Sequence, residues 1–163
     1  MSTFTLFDTP IGRCGIAWEG DAIVGVQLPE ARFDGSEPGA PPLWVQRAIA
    51  DIVASLRGEA DDLADIPLDL ERLAPFQRRV YEVVRAIPVG ETMSYGEVAA
   101  AAGSPGAARA VGQTLGRNPF AIVVPCHRVL AAGGKTGGFS ADGGVTMKLR
   151  MLAIEGVKPA DRR

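Results

Sequence analysis

The fold of the second half of the chain is decided by the stretch SYGEVAAAAGSPGAARAVGQTLG, residues 94–116. Ser94-Tyr95-Gly96-Glu97 has the form of a capping box, which predicts that a helix starts at Ser94. Gly103 ends this helix, and Ser104-Pro105 supplies an N-cap and a first-turn proline for a second helix that runs to about Gly116. Two short helices joined by a tight turn predict a helix-turn-helix. Their many alanines and glycines permit close approach to another surface, although such residues more often pack helix on helix.

The rest of this half is also predicted to be mainly helical. Pro75 opens a helix whose apolar residues recur at helical spacing until Pro88-Val89-Gly90 ends it. After Asn118-Pro119, an apolar run leads into Pro125-Cys126-His127-Arg128. Residues 133–144 hold six glycines and predict a loop, and Val145 to Glu155 is predicted to be the last helix.

The first half predicts a small sheet and one helix. Strands are expected at residues 4–7, 15–18 and 22–26, and residues 29–42 are expected to form a loop. A helix is predicted from Leu43 to Leu56, where Gly58 stops it, and a short strand is expected over residues 66–70. We therefore expect a two-domain α+β protein, with a supporting domain over residues 1–72 and a second domain over residues 73–163.

The charge of the chain is divided unequally between these halves. The 163 residues carry a net charge of −2, which by itself argues against a nucleic-acid partner. Residues 1–72 hold five Lys/Arg against thirteen Asp/Glu, whereas residues 73–163 hold twelve Lys/Arg against six Asp/Glu. An acidic half joined to a basic half indicates that only the second half meets a polyanion, and chance scatter of charge explains the numbers equally well.

Composition limits the remaining classes. No apolar run approaches the roughly 18–20 residues that span a bilayer, and the N-terminus lacks the pattern of a signal peptide. Two cysteines make a poor disulfide framework, which favours a cytoplasmic compartment. Neither cysteine has metal-ligand spacing, and one histidine cannot complete a usual zinc site, so no metal or cofactor is expected.

Cys126 beside His127 is the candidate for covalent chemistry. Adjacent side chains usually project in different directions, so a bridging water is the easier route for a proton from the thiol to the imidazole. A free thiol has a pKa of about 8.5 and needs such activation. A carboxylate behind the histidine would hold its tautomer. The dipeptide alone is weak evidence and favours a buried structural cysteine next to an incidental histidine.

Several ordered blocks in the second half resemble the O6-alkylguanine-DNA alkyltransferases. They run from Phe76 to Gly156 and comprise Ser94-Tyr95-Gly96-Glu97-Val98-Ala99, Ala108-Arg109-Ala110-Val111-Gly112, Asn118-Pro119, Pro125-Cys126-His127-Arg128-Val129 and Leu152-x-x-Glu155-Gly156. The first half is similar only loosely, through Pro10-x-Gly12 and Pro67-Leu68-Asp69-Leu70. The resemblance implies a ribonuclease-H-like first domain and a winged-helix-like second domain that approaches the minor groove of double-stranded DNA.

The same resemblance implies a role for each candidate site residue. Cys126 would accept the alkyl group, His127 would deprotonate it through a water, and Glu155 would hold the histidine. Asn118 would brace the turns, Tyr95 would donate a proton towards the guanine, and Arg109 would fill the stack left by the flipped nucleotide. Backbone groups of Cys126, Val129 and Ser140 would read the guanine edge. The remaining contacts expected to substrate or DNA are Ala108, Arg117 and Arg128.

The implied function is irreversible transfer of an alkyl group from O6-alkylguanine, or from O4-alkylthymine, by a monomer that acts once. A thioether has no ready leaving group, so the cysteine would not regenerate. Two alternatives remain: a module that binds lesions without transfer, and a cysteine hydrolase acting on a small molecule. Taken one at a time, three of these residues also have plain structural explanations. Arg109 fits a solvated charge on a helix, Tyr95 fits a core residue, and Glu155 fits the exposed end of a helix.

One segment departs from the family pattern. Residues 137–144 place Phe139 where many relatives carry tyrosine, and the loop is a couple of residues longer. This leaves the role of Ser140 and the size limit on the alkyl group open. The resemblance implies no role for Cys14, and we expect it to pack in the core as a small hydrophobic residue.

Overall fold

The computed structural model describes residues 1–59, 63–138 and 144–161 and has a mixed α+β architecture. Two compact units divide the chain, one of Met1–Asp69 with Pro119–Val123 and the other of Leu70–Asn118 with Val124–Arg163. The predicted boundary after residue 72 stays a prediction. The α-helices and strands are β1 Thr3–Thr9, β2 Gly12–Glu19, β3 Ala22–Gln27, β4 Glu37–Pro38, α1 Leu43–Leu56, α2 Pro75–Arg85, β5 Met93–Ser94, α3 Tyr95–Ala101, α4 Ala108–Gly116, β6 Val129–Leu130 and α5 Gly144–Ile154.

The first unit contains a sheet with the strand order β3-β2-β1-β4. Strands β1 and β2 pair antiparallel from Thr3 opposite Trp18 to Thr9 opposite Gly12, and β2 pairs antiparallel with β3. Gly12 closes the β1–β2 turn at φ +120°, a backbone conformation that side chains disfavour. The three predicted strands are thus confirmed. The expected loop over residues 29–42 contains the two-residue β4, which pairs parallel with β1.

Helix α1 has the predicted bounds and contributes Val45, Ala48, Ile52 and Leu56 to the core of this unit. The strand predicted over residues 66–70 is wrong. Leu63–Asp65 forms a 3-10 turn, and only a single bridge joins Leu68 to Ile23. Pro67 accepts a hydrogen bond from the Ile23 backbone at 2.7 Å but has no N–H to donate, so no longer ladder forms there.

The second unit is mainly helical. Ser94 caps α3 as predicted: its hydroxyl accepts from the Glu97 backbone at 3.1 Å, and the Glu97 carboxylate accepts from the Ser94 backbone at 2.9 Å. The following helix begins at Ala108 instead of Ser104. Residues 104–107 form a separate turn, in which Gly106 at φ +86° departs from helical geometry. The pair of helices is confirmed, with its second start corrected.

The last part of the second unit runs from the cysteine motif to α5. Cys126–Arg128 forms one turn of 3-10 helix, β6 follows and pairs parallel with β5, and α5 ends one residue before Glu155. Asp161 accepts hydrogen bonds from the backbone and hydroxyl of Thr136 at 3.0 and 2.8 Å. Over the described ranges, no helix is both long and apolar enough to cross a membrane.

Candidate functional site

Cys126 lies at the start of a tight turn that its neighbours brace. Its backbone N–H donates to Val124 at 2.8 Å, and the N–H of Arg128 donates to Pro125 at 2.9 Å. The Asn118 amide donates to the same Val124 carbonyl at 2.9 Å. Cys126 is only 8% exposed. Because Pro125 fixes the backbone before it, the turn presents one thiol in one position.

Opposing influences act on the pKa of the Cys126 thiol. Burial raises the pKa because it penalises a thiolate. The Asn118 side-chain hydrogen bond, the charge of Lys148 and the backbone N–H groups of Cys126 and His127 lower it. Burial prevails, so the thiol keeps its proton at rest and must lose it when the sulfur attacks.

His127 is buried next to the cysteine and bonded to Glu155. Its Nε2 lies 2.9 Å from Glu155 Oε1, and the two side chains are 4% and 7% exposed. Since an ionised carboxylate only accepts, Nε2 carries the proton, and Nδ1 keeps a lone pair. Nδ1 is buried and has no hydrogen-bond partner among the residues that the structure describes. Burial lowers the pKa of His127, Glu155 raises it, and the charges of Arg128 and Lys148 lower it.

Arg128 points into the protein. Its Nε and Nη2 donate to Glu155 at 2.6 to 3.0 Å, and its Nη1 donates to the Ile87 carbonyl at 2.6 Å. Burial raises the pKa of Glu155, but the hydrogen bonds and charges of His127 and Arg128 outweigh it and bring the pKa to about 2. The expectation that Arg128 contacts DNA is wrong, because a buried guanidinium bonded to Glu155 and Ile87 is not available to phosphates.

Lys148, on α5, is a member of the site that the sequence analysis missed. It is fully buried, and its Nζ donates to the Val129 carbonyl at 2.8 Å and to the Gly138 carbonyl at 3.2 Å. Burial lowers its pKa to about 8, although the charges of Cys126 and Asp161 raise it. The available signal was its helical spacing, which puts this lysine on the same face as Met151, Leu152 and Glu155.

Tyr95 begins α3 and faces the same lysine. Lys148 Nζ lies 5.8 Å from the centre of the Tyr95 ring, within the range of a cation–π contact. The Tyr95 hydroxyl donates to the Gly138 carbonyl at 3.4 Å. Burial raises the pKa of this hydroxyl, and the charge of Cys126 raises it further, so Tyr95 is protonated at rest and has a proton to donate.

The remaining predicted residues lie at different depths. Arg109 on α4 and Arg117 at the end of that helix are exposed, and Ala108 is partly exposed. Val129 is fully buried; its N–H donates to Cys126, and its carbonyl accepts from Lys148. Ser140 and Phe139 lie outside the described residues. The structure therefore brings most of the site residues into one network, in which Val129 joins Lys148 to the Cys126 turn. Its members are Asn118, Cys126, His127, Arg128, Val129, Glu155, Lys148 and Tyr95.

Neither cysteine forms a disulfide. Within the described ranges, no group of three or more His, Cys, Asp or Glu side chains could hold a metal ion. The chemistry available at the site is therefore that of a buried thiol, a histidine with a free lone pair, a fixed carboxylate and a desolvated lysine.

Comparison with known proteins gives consistent matches. Residues 75–157 match the family model described as 6-O-methylguanine DNA methyltransferase, DNA binding domain. The methylated-DNA–protein-cysteine methyltransferase of Mycolicibacterium paratuberculosis is 41% identical over 157 residues, covering 95% of this chain and 93% of that protein. Its counterpart in Methanothermobacter thermautotrophicus is 38% identical and covers 91% of this chain and 82% of its own. The crystal structure of Mycobacterium tuberculosis OGT in complex with DNA matches with a TM-score of 0.83 at 38% identity, covering 94% of this chain and 93% of that one.

Proposed function

The chain belongs to the 6-O-methylguanine DNA methyltransferase family, and from this premise we propose that Cys126 is its alkyl acceptor. The protein repairs DNA by direct reversal: an alkyl group moves from O6 of guanine in DNA to a cysteine of the protein. It is a methylated-DNA–protein-cysteine methyltransferase, and DNA is its partner. Cys126 is the candidate because a buried thiol lies beside a histidine–glutamate pair, whereas Cys14 lies in a strand and is 0% exposed.

The proton of Cys126 leaves through His127. We expect one water to connect the thiol to Nδ1, since this buried atom has no partner among the described residues. Nε2 is already held by Glu155, so the ring becomes an imidazolium stabilised by an ionised carboxylate. The desolvation that keeps the thiol protonated at rest also leaves the thiolate, once formed, unshielded and reactive.

Sulfur then attacks the alkyl carbon while the bond from that carbon to O6 breaks. The electron pair of the broken bond stays with the guanine, and a proton from Tyr95 would neutralise it. Lys148 supports both events, because its charge lowers the pKa of Cys126 and its ammonium lies over the Tyr95 ring. Asn118 holds the turn and the thiol together, through bonds to Val124 and Cys126. The thioether has no ready leaving group, so each molecule acts once.

The DNA-facing roles belong to α4. An alkyl group inside the base stack cannot be reached, so the nucleotide must leave the stack, at a cost of a few kcal/mol. Arg109 is exposed on this helix, and its planar cation suits the vacated position. Exposed Arg117 and the small Ala108 would face the backbone, and the backbone of Val129 and Ser140 would read the base. We propose the minor groove for this approach, and the same pocket for O4-alkylthymine.

Finer features of the molecule are proposals of the same kind. We propose a ribonuclease-H-like first unit and a winged-helix-like second one, with the domain boundary after residue 72. The two free cysteines favour a reducing compartment, for which the cytoplasm is our proposal. A monomer suffices, because every group in the proposed chemistry comes from one chain.

The observation that carries this proposal is the buried turn of Cys126, braced by Asn118 and lying under the charge of Lys148, together with the His127–Glu155 bond. The test is the intact mass of the protein after incubation with double-stranded DNA containing O6-methylguanine. We expect a gain of one methyl group, lost in Cys126→Ala and retained in Cys14→Ala. Binding without a gain in the unmodified chain would indicate a lesion-binding module, and repeated turnover would indicate a hydrolase.

A further inference from the structure

The buried Arg128 has a role in the transfer that follows from its contacts, and this inference rests on the function proposed above. We propose that Arg128 is a positioning residue: it keeps Glu155 ionised and shared, so that His127 holds a single proton on Nε2 and offers Nδ1 to the proton of Cys126. Arg128 touches neither the thiol nor the base, and it acts through Glu155.

The geometry of the carboxylate supports this proposal. Glu155 Oε1 accepts from His127 Nε2 at 2.9 Å, from Arg128 Nη2 at 2.6 Å and from Arg128 Nε at 2.9 Å. Glu155 Oε2 accepts from Arg128 Nε at 3.0 Å. Arg128 and His127 therefore bind the same oxygen, but only Arg128 carries a positive charge at every pH of interest. The negative charge of Glu155 is largely matched before His127 takes up any second proton.

The charge balance around His127 shows why this matters. The groups that act on its ring are Glu155, just after α5, Arg128 in its own turn, and Lys148 on α5, with the Cys126 thiol next to it in sequence. Without Arg128, a buried carboxylate would face the imidazole unmatched. The His127–Glu155 pair would then hold an extra proton, either on Nδ1 or on the carboxylate, up to a higher pH than it does with Arg128 present. A ring protonated at Nδ1 cannot accept from the thiol.

Arg128 also fixes where the carboxylate lies. Its Nη1 donates to the Ile87 carbonyl at 2.6 Å, so one guanidinium joins the segment after α2 to the residue after α5. The planar fork of arginine can satisfy both directions at once, which a lysine ammonium cannot do with the same geometry. Arg128→Lys therefore keeps the charge and loses part of the positioning, whereas Arg128→Met loses both.

The test is the pH dependence of methyl transfer in single-turnover kinetics, for the unmodified protein, Arg128→Met and Arg128→Lys. We expect the acid limb of Arg128→Met to move up by about one pH unit, so that its rate below the limb falls about tenfold. Above the limb, its rate should stay within about threefold of the unmodified rate, because a more basic imidazole is no weaker as a base. Arg128→Lys should recover more than half of the shift.

The chain offers a direct reading of the same effect, because it contains a single histidine. Nitrogen NMR of the unmodified protein should show His127 neutral with its proton on Nε2 at pH 6.5, the ordinary midpoint of histidine. This measurement needs no substitution, so it remains decisive even where Arg128→Met fails to fold. A doubly protonated ring at that pH in an active protein would overturn the proposal.

Arg78→Met is the matched control. Arg78 lies in the same unit and donates twice to the Leu70 carbonyl, at 3.2 and 3.0 Å. Its removal should lower thermal stability without moving the acid limb. An equal loss of rate at every pH in Arg128→Met would mean that Arg128 is merely structural and would overturn the inference. Absence of any methyl transfer in the unmodified protein would instead refute the proposed function.

Discussion

Replacing Lys148 with methionine separates the chemistry of the site from its stability. Methionine has a similar length and suits the apolar surroundings of α5. It removes the ammonium that donates to Val129 and Gly138 and that favours the Cys126 thiolate. We expect slower transfer without the large loss of stability that most substitutions at fully buried positions cause.

The size of the kinetic effect follows from the lost charge. A cation close to a thiol typically lowers its pKa by about 1 to 3, so the thiolate fraction falls about 10- to 1,000-fold without it. A more basic thiolate is also a better nucleophile, with a Brønsted coefficient near 0.5, which returns about half of the loss on a logarithmic scale. The net rate below the thiol pKa should therefore fall about 3- to 30-fold.

The stability of the Lys148→Met variant depends on two effects that oppose each other. Burial lowers the pKa of Lys148 from 10.5 to about 8, so the charged lysine costs the fold about 3 kcal/mol at neutral pH. This cost is fully present below pH 8 and disappears as the pH rises towards 10.5. Methionine removes the cost but leaves two carbonyls without this donor, which costs about the same. The midpoint of thermal unfolding at pH 7 should stay within a few degrees.

The assay is single-turnover transfer as a function of pH, alongside the ultraviolet absorbance of the thiolate. Both are measured in a Cys14→Ala background, so that only Cys126 reports. A variant whose thiol pKa and rate at neutral pH equal those of the unmodified protein would refute the proposed effect of Lys148. Lys148→Arg is a partial control, since it keeps a charge but changes its reach.

Three further substitutions test other parts of the site. Glu155→Gln should remove up to about 3 kcal/mol of stability at pH 7. The reason is that a carboxyl with a pKa of about 2 stabilises the fold above pH 4.5 and loses that effect as the pH falls through 2. Urea unfolding at several pH values measures this, and equal losses at pH 7 and pH 2 would contradict it. Gly137→Ala should slow transfer, because Gly137 lies at φ +71° and an added Cβ would come within 3.3 Å of the Tyr95 ring. Gly112→Ala is the control and should not slow transfer, since its added Cβ would lie 3.8 Å from the same ring. Equal rates for the two variants would contradict this prediction. Arg109→Ala should slow transfer from double-stranded DNA about tenfold and leave reaction with the free modified base unchanged, and parallel losses on both substrates would show that Arg109 does not act through the base stack.

Local sequence signals predicted most of the secondary structure. The capping box at Ser94 and the apolar spacing of Leu43–Leu56 are determined by neighbouring residues, and both helices begin where expected. The errors lie where distant contacts or one glycine decide. Beside Pro67, Leu68 makes a single bridge to Ile23 in place of a strand, and Gly106 delays the start of α4 to Ala108.

The candidate site was predicted through its motif, and its errors concern where long side chains point. The motif identified Cys126 and His127, but a sequence does not show whether an arginine faces water or a carboxylate. Arg128 was thus expected at the DNA and is instead bound to Glu155, 27 residues away. Lys148 was missed for the related reason that lysine is rarely fully buried. Arg128 meets Glu155 just after α5, and Lys148 on α5 meets the carbonyls of Val129 and Gly138. In both cases only the folded chain brings the partners together.

The most direct test of the central claim is the position and number of methyl groups after reaction with excess methylated DNA. Peptide mass mapping should find one methyl group per molecule, on Cys126, and none on Cys14. The amount should level off at one equivalent however long the incubation lasts. A methyl group on another residue, or continued consumption of methylated DNA beyond one equivalent, would contradict the assignment of Cys126 as a single-use acceptor.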